Sequence, residues 1–388
     1  MIEILIAIVV ASLGVFMGFY LFYFTICLSS VKAQHKKIPD ERTGDDVPMV
    51  SIIVPVYNES KVISAKIDNL EKSNYPKNRV EMIFVDGGST DGTVETLEDR
   101  IKGSNMLIKI VKQGSRKGFN SAVIEGFSKS IGDIIFITGA ETEYESETLD
   151  VVVKHFENPS VGAVTGRQII KNVGEGYSPQ LESAYRGLYD FVREAEGHID
   201  SPFDLKGEIS AARRKIVESL VMNPKLSRKG CIDACFSFQG KIDGYRTVYE
   251  PSAVYYEHTT THIKDSFKQQ IRRGATLIEN MLAFKTIFFR RKYGAFGMLI
   301  FPAHFLMLLV LPYLFLIGSV GLLALAALSF SNYVLLSVVI VCILCVFLVK
   351  RVQAFVKTQL VLILATLKLF RGVETQKFER LESVRPRN

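Results

Sequence analysis

The 388-residue chain has 47 lysines and arginines against 40 aspartates and glutamates, which gives a formal net charge of +7 at neutral pH. This length allows one sizeable domain with additional segments, and five cysteines do not indicate a disulfide-stapled fold. The positive excess does not predict nucleic-acid binding, because the polar middle of the chain lacks a basic stripe with interleaved aromatic residues.

The first element is an apolar segment. Residues 5–28 contain no charged residue and are long enough to span a bilayer. A cleavable signal peptide is the alternative, but no basic region precedes the segment and Glu3 stands there instead. The sequence therefore predicts a transmembrane helix over residues 1–30 and a basic linker over residues 31–48, which carries Lys32, Lys36, Lys37 and Arg42.

Short apolar strands alternate with helical stretches from residue 50 onward. This rhythm predicts an α/β fold with a mostly parallel, doubly wound sheet. Ligands of such sheets bind beyond the carboxyl ends of the strands, so the polar residues there are candidates for a site. The predicted strands are VSIIVPVYN, VEMIFVDGG, MLIKIVKQ and DIIFITGA, with helices over residues 60–72, from about residue 91, and around residues 119–130.

The segment VDGGSTDGT, residues 85–93, places an acid at a strand end before two glycines and a helix cap. Alone it is equally consistent with an ordinary turn between a strand and a helix. Together with IIVPVYNES, which ends the preceding strand, it can receive a nucleobase and its ribose. Asp86 would accept a hydrogen bond from a base N–H, and Glu59 would accept one from a ribose hydroxyl.

Three motifs in order, SIIVPVYNES, VDGGSTDGT and GDIIFITGAETE, resemble the first half of a family-2 glycosyltransferase with the GT-A fold. The resemblance extends over about residues 49–275. It implies transfer of a sugar from a nucleotide donor to an acceptor with inversion, a carboxylate base, and usually Mn²⁺ or Mg²⁺. Its motifs assign nucleotide-sugar binding to Pro55, Tyr57, Glu59, Asp86 and Glu141.

The segment GCIDACFSFQGKIDGYR resembles the part of the family that carries the general base. There an Asp follows a Glu and lies shortly before Gly-Tyr-Arg. Counting back from Gly244, Asp233 takes the Asp position and Ile232 replaces the Glu. The resemblance implies that Asp233 is the general base, or that it acts electrostatically if the acceptor is already a phosphate. An N-cap of the next helix is the alternative for Asp233.

QQIRRG, residues 269–274, resembles the family's Gln-x-x-Arg-Trp signature, with Gln270 and Arg273 kept and Gly274 in place of Trp. The resemblance implies that Gln270 and Arg273 contact the diphosphate or the acceptor, since a guanidinium donates two parallel bonds. A basic amphipathic helix on the membrane, within residues 261–293, is an alternative that is compatible with this role. The absent Trp favours transfer of a single sugar over processive synthesis.

Gly139-Ala140-Glu141 stands where the family has Asp-x-Asp, whose acids bridge the metal to the diphosphate. The first acid is absent, and the second is one methylene longer. We expect Glu141 to bind the metal, because phosphates and water can complete the shell of a hard cation. Glu143 and His258 are candidate helpers. The helix at 115–126 departs from the family's Lys and Asn, for which Lys117 or Arg116 is the candidate substitute.

The C-terminal part is apolar again, with uncharged runs at 296–328 and 333–349 and a shorter one at 358–366. Within residues 294–370 we expect two spans and then an interfacial or re-entrant helix, with a third span as the alternative. A cytoplasmic tail would follow over 371–388. Basic residues after the first and the last clear span predict, by the positive-inside rule, that the middle region is cytoplasmic.

The sequence thus predicts a multi-pass protein of the cell membrane with a cytoplasmic GT-A domain over residues 49–260. It would move one sugar from a UDP- or GDP-sugar to a polyprenyl-phosphate or another lipid-linked acceptor. Asp86, Glu141 and Asp233 are then expected in a single cleft. The alternative is a non-catalytic GT-A subunit of a membrane glycan-assembly complex, suggested by the incomplete metal motif and the altered helix at 115–126.

Overall fold

The computed structural model describes residues 2–33, 47–205, 207–223, 230–328 and 333–371, apart from the side chain of Leu335. Residues 34–46 of the expected basic linker and residues 372–388 of the expected tail lie outside the described residues.

The central domain alternates strands and helices as the sequence predicts. Its first half contains β1 (Val50–Val56), α2 (Ile63–Glu71), β2 (Val80–Asp86), α3 (Thr93–Gly103), β3 (Leu107–Lys112), α4 (Phe119–Ser128) and β4 (Ile134–Ile137). Its second half contains β5 (Glu143–Tyr144), α5 (Thr148–Lys154), β6 (Val161–Ile170), α6 (Tyr177–Ile199), β7 (Ser210–Arg213), α7 (Arg214–Val221), α8 (Phe236–Ile242) and β8 (Arg246–Glu257). A long N-terminal helix, α1 (Ile2–Ala33), precedes the domain.

Among the described residues, these strands form one sheet in the order β3-β2-β1-β4-β7-β6-β8-β5. The pairings among β3, β2, β1 and β4 are all parallel, which confirms the predicted parallel sheet for this half. In the other half, β7 runs antiparallel to both β4 and β6, while β6 and β8 are parallel. The end of α6 lies beside Arg246 at the start of β8, and the segment between α6 and β7 then brings the chain back to the edge at which β6 ended. This half is mixed because β7 starts from that edge and runs in the opposite direction.

The reversed strand β7 determines which residues meet at the carboxyl edge of the sheet. Its first residue, Ser210, pairs with Ile137, the last residue of β4. The last residues of β6 and β8, Ile170 and Glu257, pair at the same edge. The segment that enters β7 and the turn that leaves β4 are therefore neighbours, and the end of β8 lies on the same side of the sheet.

Both faces of the sheet are buried, as the continuous apolar strands predict. Ile53, Ile83 and Ile135 face a core that also includes residues of α4, α7 and α8. Ile52 and Phe84 face a second core with α2, α3 and α5. The first core continues without interruption into the C-terminal helices, through Ala275, Ile278, Phe301, Leu308, Leu362 and Ala365.

In the described residues, five α-helices follow the domain: α9 (Ile263–Ala283), α10 (Phe301–Leu309), α11 (Leu311–Leu328), α12 (Tyr333–Leu348) and α13 (Lys350–Phe370). Three helices in the described part of the chain are long and apolar enough to cross a membrane, namely Ile2–Lys32, Leu311–Leu328 and Lys350–Phe370. The segment 358–366, expected as interfacial or re-entrant, lies within α13, whereas the expected span at 333–349 is the shorter apolar helix α12.

Helix α13 lies against α6 of the central domain and against α9. The hydroxyl of Tyr177 on α6 donates to the Gln353 side chain at 2.6 Å. One turn later, Lys357 donates to the Ser266 hydroxyl on α9 at 2.9 Å. Helix α13 therefore packs along two amphipathic helices, α6 and α9.

A buried polar group joins α1, α6 and α10. The Glu196 carboxylate accepts a hydrogen bond from the Tyr23 hydroxyl and contacts Nε2 of His304, both at 2.6 Å. Its other oxygen accepts from the backbone N–H of Phe203 at 2.8 Å. The histidine in the apolar run 296–328 therefore has its partner in the central domain, and the Tyr23 contact attaches the N-terminal helix to the same carboxylate.

Helix α4 approaches β1 closely at Gly126. A Cβ atom there would lie 2.6 Å from Cγ2 of Ile53 and 3.0 Å from Cγ2 of Val85. We expect Gly126→Ala to lower the free energy of unfolding by about 1–3 kcal/mol, because both side chains are buried and cannot move away. The matched control is Gly187→Ala in the middle of α6, where a Cβ meets nothing within 4 Å. That substitution should raise stability by about 0.5–1 kcal/mol, and equal thermal shifts for the two variants would contradict this packing.

Candidate active site

One cavity of about 910 Å³ opens at the carboxyl edge of the sheet. It collects residues from both halves of the sheet, from α6 and from the C-terminal helices. Seven of the eight residues to which the sequence analysis assigns catalysis or binding line it: Pro55, Tyr57, Glu59, Glu141, Asp233, Gln270 and Arg273.

The end of β1 and the loop after β2 form one wall of this cavity. The guanidinium of Arg116 lies over the Tyr57 ring, 4.3 Å from its centroid, and both residues line the cavity. Of the two candidate substitutes, Lys117 instead pairs with Glu125 at 3.0 Å. Arg116 is therefore the one that the structure brings to the site, where its ring-stacked charge faces the predicted nucleotide side.

Asp86 lies directly behind this wall and does not line the cavity. Its carboxylate accepts hydrogen bonds from the backbone N–H groups of Gly88 at 3.0 Å and Ser89 at 3.2 Å. The side chain is buried, and the lining position is taken by its neighbour Gly87. Of the three carboxylates expected in one cleft, Glu141 and Asp233 line it, and Asp86 fixes the loop beside them.

The turn after β4 presents Glu141 to the cavity. A Cβ atom at Gly139 would lie 3.1 Å from Oε2 of Glu141, so the longer side chain folds back over Gly139. Below the turn, the buried ammonium of Lys66 donates to the Thr138 hydroxyl at 3.1 Å and to the Thr142 carbonyl at 2.8 Å. Burial lowers the pKa of Lys66 to about 7, against the opposing charge of Glu141.

The oxygen ligands of this turn suit a divalent cation only if a bound substrate supplies further ligands. The described residues contain no group of three or more His, Cys, Asp or Glu side chains placed to hold a metal. Glu143 is ion-paired with Lys171, and the candidate helper His258 does not line the cavity. The exposed carboxylate of Glu141 suits a hard cation whose other ligands are phosphate oxygens and water.

Asp233 is a buried carboxylate at the start of a short 3₁₀ turn, Asp233–Cys235. Its Oδ1 atom has no hydrogen-bond partner among the described residues, although the residue lines the cavity. Burial and the nearby charge of Glu208 raise the pKa of Asp233 to about 7. A carboxylate with this pKa is suited to accept a proton near neutral pH.

Arg273 reaches from α9 into a group of three carboxylates. Its guanidinium nitrogens lie 3.7 Å from Glu182, 3.5 Å from Glu208 and 3.5 Å from Glu257. Gln270, one helical turn earlier, donates to Glu182 at 3.1 Å. The two residues kept from the Gln-x-x-Arg signature therefore act on the same carboxylate.

These acids titrate differently because their neighbours differ. Burial would raise the pKa of Glu182, but the charges of Arg186 and Arg273 lower it to about 2. Burial and the charge of Glu208 raise the pKa of Glu257, although Arg273 opposes this change. Glu182 is thus a permanent anion beside Arg273, while Glu257 resists ionisation.

Helix α6 supplies site residues that the sequence analysis missed. Glu182 and Arg186 form a buried ion pair, and both line the cavity. The signal in the sequence was a helical stripe of aromatic and charged residues at three- and four-residue spacing. The cavity-lining members of this stripe are Glu182, Tyr185, Arg186, Tyr189 and Arg193.

The cavity extends from these acids to the C-terminal helices. Apolar side chains of α10 and α13 form this part of its lining, with the half-buried Lys368 among them. The same space therefore has carboxylates and arginines at one end and helices of membrane-spanning composition at the other. The lining residues from α10 and α13 are Leu308, Thr358, Val361, Leu362 and Lys368.

An α/β domain of this topology, with a polar cleft at its strand ends and apolar helices on either side, is that of a GT-A glycosyltransferase. Residues 51–220 match the model of glycosyl transferase family 2, and this part of the chain is a glycosyltransferase domain of that family. The mannosyltransferase PcManGT from Pyrobaculum calidifontis has the same fold, with a TM-score of 0.80 over 95% of this chain and 100% of its own, at 24% identity.

The curated relatives are similar over part of the chain. A dolichol-phosphate mannosyltransferase from Pyrococcus furiosus is 29% identical over 45% of this chain and 49% of its own length, so the match spans about half of that relative. A dolichyl N-acetyl-alpha-D-glucosaminyl phosphate 3-beta-D-2,3-diacetamido-2,3-dideoxy-beta-D-glucuronosyltransferase from Methanococcus voltae is 27% identical over 67% and 80%. A poly-beta-1,6-N-acetyl-D-glucosamine synthase from Staphylococcus aureus is 24% identical over 66% and 60%.

Asp233→Asn should stabilise the protein increasingly as the pH rises. The native carboxyl has a pKa of about 7, above the ordinary value of about 4. The free energy of unfolding therefore falls as the pH rises from about 4 to about 7. The neutral amide avoids this cost, and we expect a gain of about 1–3 kcal/mol at pH 8. Thermal unfolding at pH 5, 6, 7 and 8 measures it. A difference between variant and wild type that stays constant across this range would contradict the raised pKa.

Proposed function

We propose that this protein catalyses inverting transfer of one sugar from a GDP- or UDP-sugar to a membrane-associated acceptor, either a polyprenyl-phosphate or another lipid-linked molecule. The observation that supports this most strongly is the position of Asp233. It is a buried carboxylate whose Oδ1 has no hydrogen-bond partner in the described part of the chain, and it lies in the cavity that also contains Glu141 and Arg273 and that reaches α13.

The donor would bind along the wall formed by β1 and β2. Tyr57 and Arg116 offer a stacked aromatic and cationic surface for the nucleotide, and Glu59 offers a carboxylate for ribose hydroxyls. The diphosphate would then lie between Glu141 and Arg273. PcManGT is in complex with GDP-Man and Mn²⁺, which makes GDP-mannose the first donor to test.

Glu141 would hold the metal. A divalent cation bound there would offset the negative charge that develops on the leaving diphosphate. Arg273 would contribute a fixed positive charge to the same group, and Glu182 and Gln270 would orient its guanidinium.

Asp233 would act on the acceptor. With a hydroxyl acceptor, its carboxylate takes the proton while the hydroxyl oxygen bonds to the anomeric carbon. The bond from that carbon to the diphosphate oxygen breaks, and the nucleoside diphosphate leaves with the bonding electrons. With a phosphate acceptor, which is already an anion, Asp233 would orient the nucleophile rather than deprotonate it. A direct displacement of this kind inverts the anomeric configuration.

The acceptor would enter from the side of α10 and α13. Apolar side chains such as Val361 and Leu362 can contact an isoprenoid chain, and Lys368 can contact its phosphate. The Pyrococcus relative is named a dolichol-phosphate mannosyltransferase, which supports an acceptor of this class. The absence of Trp after Arg273 favours transfer of one sugar, whereas the Staphylococcus relative is named a polymer synthase.

We further propose that residues 49–260 face the cytoplasm, with α9 and α13 lying along the membrane surface. The basic residues that flank the spans support this orientation. The contacts of Gln353 and Lys357 with α6 and α9 support an interfacial placement of the first half of α13.

A second candidate function is nucleotide-sugar binding without turnover, in a non-catalytic subunit. Two observations favour it: Gly139 stands in the position of the family's first metal-binding Asp, and Arg273 is already engaged by three carboxylates. It predicts that GDP- or UDP-sugars bind without release of nucleotide.

The two candidates differ in turnover. We expect purified full-length protein with Mn²⁺ and a polyprenyl phosphate to release GDP or UDP from one member of a nucleotide-sugar panel. Asp233→Asn should lower the rate by about 100-fold or more, because a phosphate acceptor loses the group that orients it and a hydroxyl acceptor loses its general base. Donor binding, followed by calorimetry, should persist in that variant. Binding without turnover by the wild type would favour the non-catalytic subunit, and full activity of Asp233→Asn would exclude Asp233 as the base.

Restoring the family's metal motif tests whether Glu141 is the ligand. Glu141→Gln should abolish binding of Mn²⁺ in the presence of GDP, because the amide lacks the charge that a hard cation needs. Gly139→Asp alone should crowd Glu141, since a Cβ there lies 3.1 Å from its carboxylate oxygen. The double variant Gly139→Asp/Glu141→Asp should bind again. Electron paramagnetic resonance of free Mn²⁺ measures metal binding by each of the three variants. Unchanged Mn²⁺ binding in Glu141→Gln would refute Glu141 as the metal ligand.

A further inference from the structure

The three residues before Asp233 are held by two fully buried asparagines. Asn120, in the first turn of α4, donates to the Gly230 carbonyl and accepts from the N–H of Ile232, both at 3.2 Å. Asn280, near the end of α9, accepts from the N–H of Cys231 at 3.1 Å and donates to the Cys231 carbonyl at 3.3 Å. Each side chain is 0% exposed. We call residues 230–232 with these two side chains the asparagine clamp.

The backbone at Gly230 is shaped to fit Asn280. A Cβ atom on Gly230 would lie 1.8 Å from Oδ1 of Asn280, and the residue has a φ of +69°. Its N–H donates to the Glu279 carboxylate at 2.9 Å. Only glycine can take this conformation and leave room for the asparagine, so the approach of α9 to the segment is specific.

The clamp joins the two sides of the cavity. Helix α4 supplies Phe119 and Ala122 to the lining on the nucleotide side, and α9 supplies Gln270 and Arg273 on the diphosphate side. The segment between them leads directly into Asp233, whose Oδ1 has no hydrogen-bond partner among the described residues. The backbone N–H groups of Asp233 and Ala234 interact with the carboxylate, so its location follows the backbone of this turn and of the segment that leads into it.

We propose that Asn120 and Asn280 are positioning residues for sugar transfer, which hold the carboxylate of Asp233 at a fixed place relative to Arg273 and the donor wall. This inference rests on the proposed role of Asp233. A bond-forming step needs its groups within a fraction of an ångström of the productive geometry. Two side chains from two helices, each bonded to backbone groups, supply that restraint without contacting the substrate.

The test replaces each asparagine by leucine, which has a similar size and no charge and makes no hydrogen bond. The matched control is Asn69→Leu, because Asn69 makes the same two-bond contact with the backbone of Tyr144, at 2.8 Å for each bond, and neither residue lines the cavity. For every variant, kcat, the donor KM, the pH dependence of kcat and the melting temperature are measured.

We expect Asn120→Leu and Asn280→Leu to lower kcat by about tenfold or more, the effect of a small displacement of a reacting group. The donor KM should stay near its wild-type value, because the donor wall is untouched. The midpoint of the pH profile should move downward, because a loosened segment admits water to Asp233. Asn69→Leu should lower the melting temperature without moving this midpoint.

Wild-type kcat and midpoint in both clamp variants, with melting temperatures lowered as in Asn69→Leu, would overturn the proposal and leave the asparagines a purely structural role. If a leucine variant does not fold, Asn→Ser at that position, which shortens the side chain, is measured instead with the same expected direction. Asp233→Asn in the same assay separates the two proposals. If it is active, the role of Asp233 fails; if it is inactive while the clamp variants behave as wild type, only the clamp fails.

Discussion

The contact of Arg273 with Glu182, Glu208 and Glu257 is the interaction on which the architecture of the cleft depends. The three acids come from α6, from the segment that enters β7 and from the end of β8, so one guanidinium joins three separate parts of the chain. Buried anions this close raise each other's pKa unless a cation compensates them. Burial is the larger cause of the raised pKa of Asp233, and the charge of Glu208, one of the three acids around Arg273, adds to it.

Much of the fold could be predicted because its signals are local. The four parallel strands appear as apolar runs, and Tyr57 and Glu141 follow them as polar breaks at the sheet edge. The reversal of β7 and the contribution of α6 could not be predicted in this way. Glu182 and Arg273 lie far apart in sequence, and no pattern in either segment encodes their contact. The motif identified Asp86 but did not predict where its carboxylate points. Only the loop geometry shows that its oxygens accept hydrogen bonds from the N–H groups of Gly88 and Ser89.

The uninterrupted core between the sheet and the C-terminal helices couples the cleft to the apolar helices. Ile135 of β4, Ala275 of α9 and Leu362 of α13 belong to one buried cluster. Close-packed interiors transmit displacements, so α13 cannot shift without moving the helix that carries Arg273. The Glu196 contacts with Tyr23 and His304 attach α1 to the same body. A cleft built in this way has a fixed position relative to the helices of membrane-spanning composition, which suits an acceptor with its reactive group at the bilayer surface.

The incomplete metal motif is easier to understand when the charge of the whole cleft is considered. Three acids, Glu182, Glu208 and Glu257, already surround Arg273, and Arg186 pairs with Glu182. Burial and the charge of Glu208 raise the pKa of Glu257, and the charge of Glu141 adds to this. A further aspartate at position 139 would add another anion at short range, where Coulomb repulsion is strong. With glycine there, the Glu141 side chain lies over position 139, and the proposed metal site has one carboxylate where the resembled motif has two. Glycine at this position therefore adds no further repulsion among the acids of the cleft.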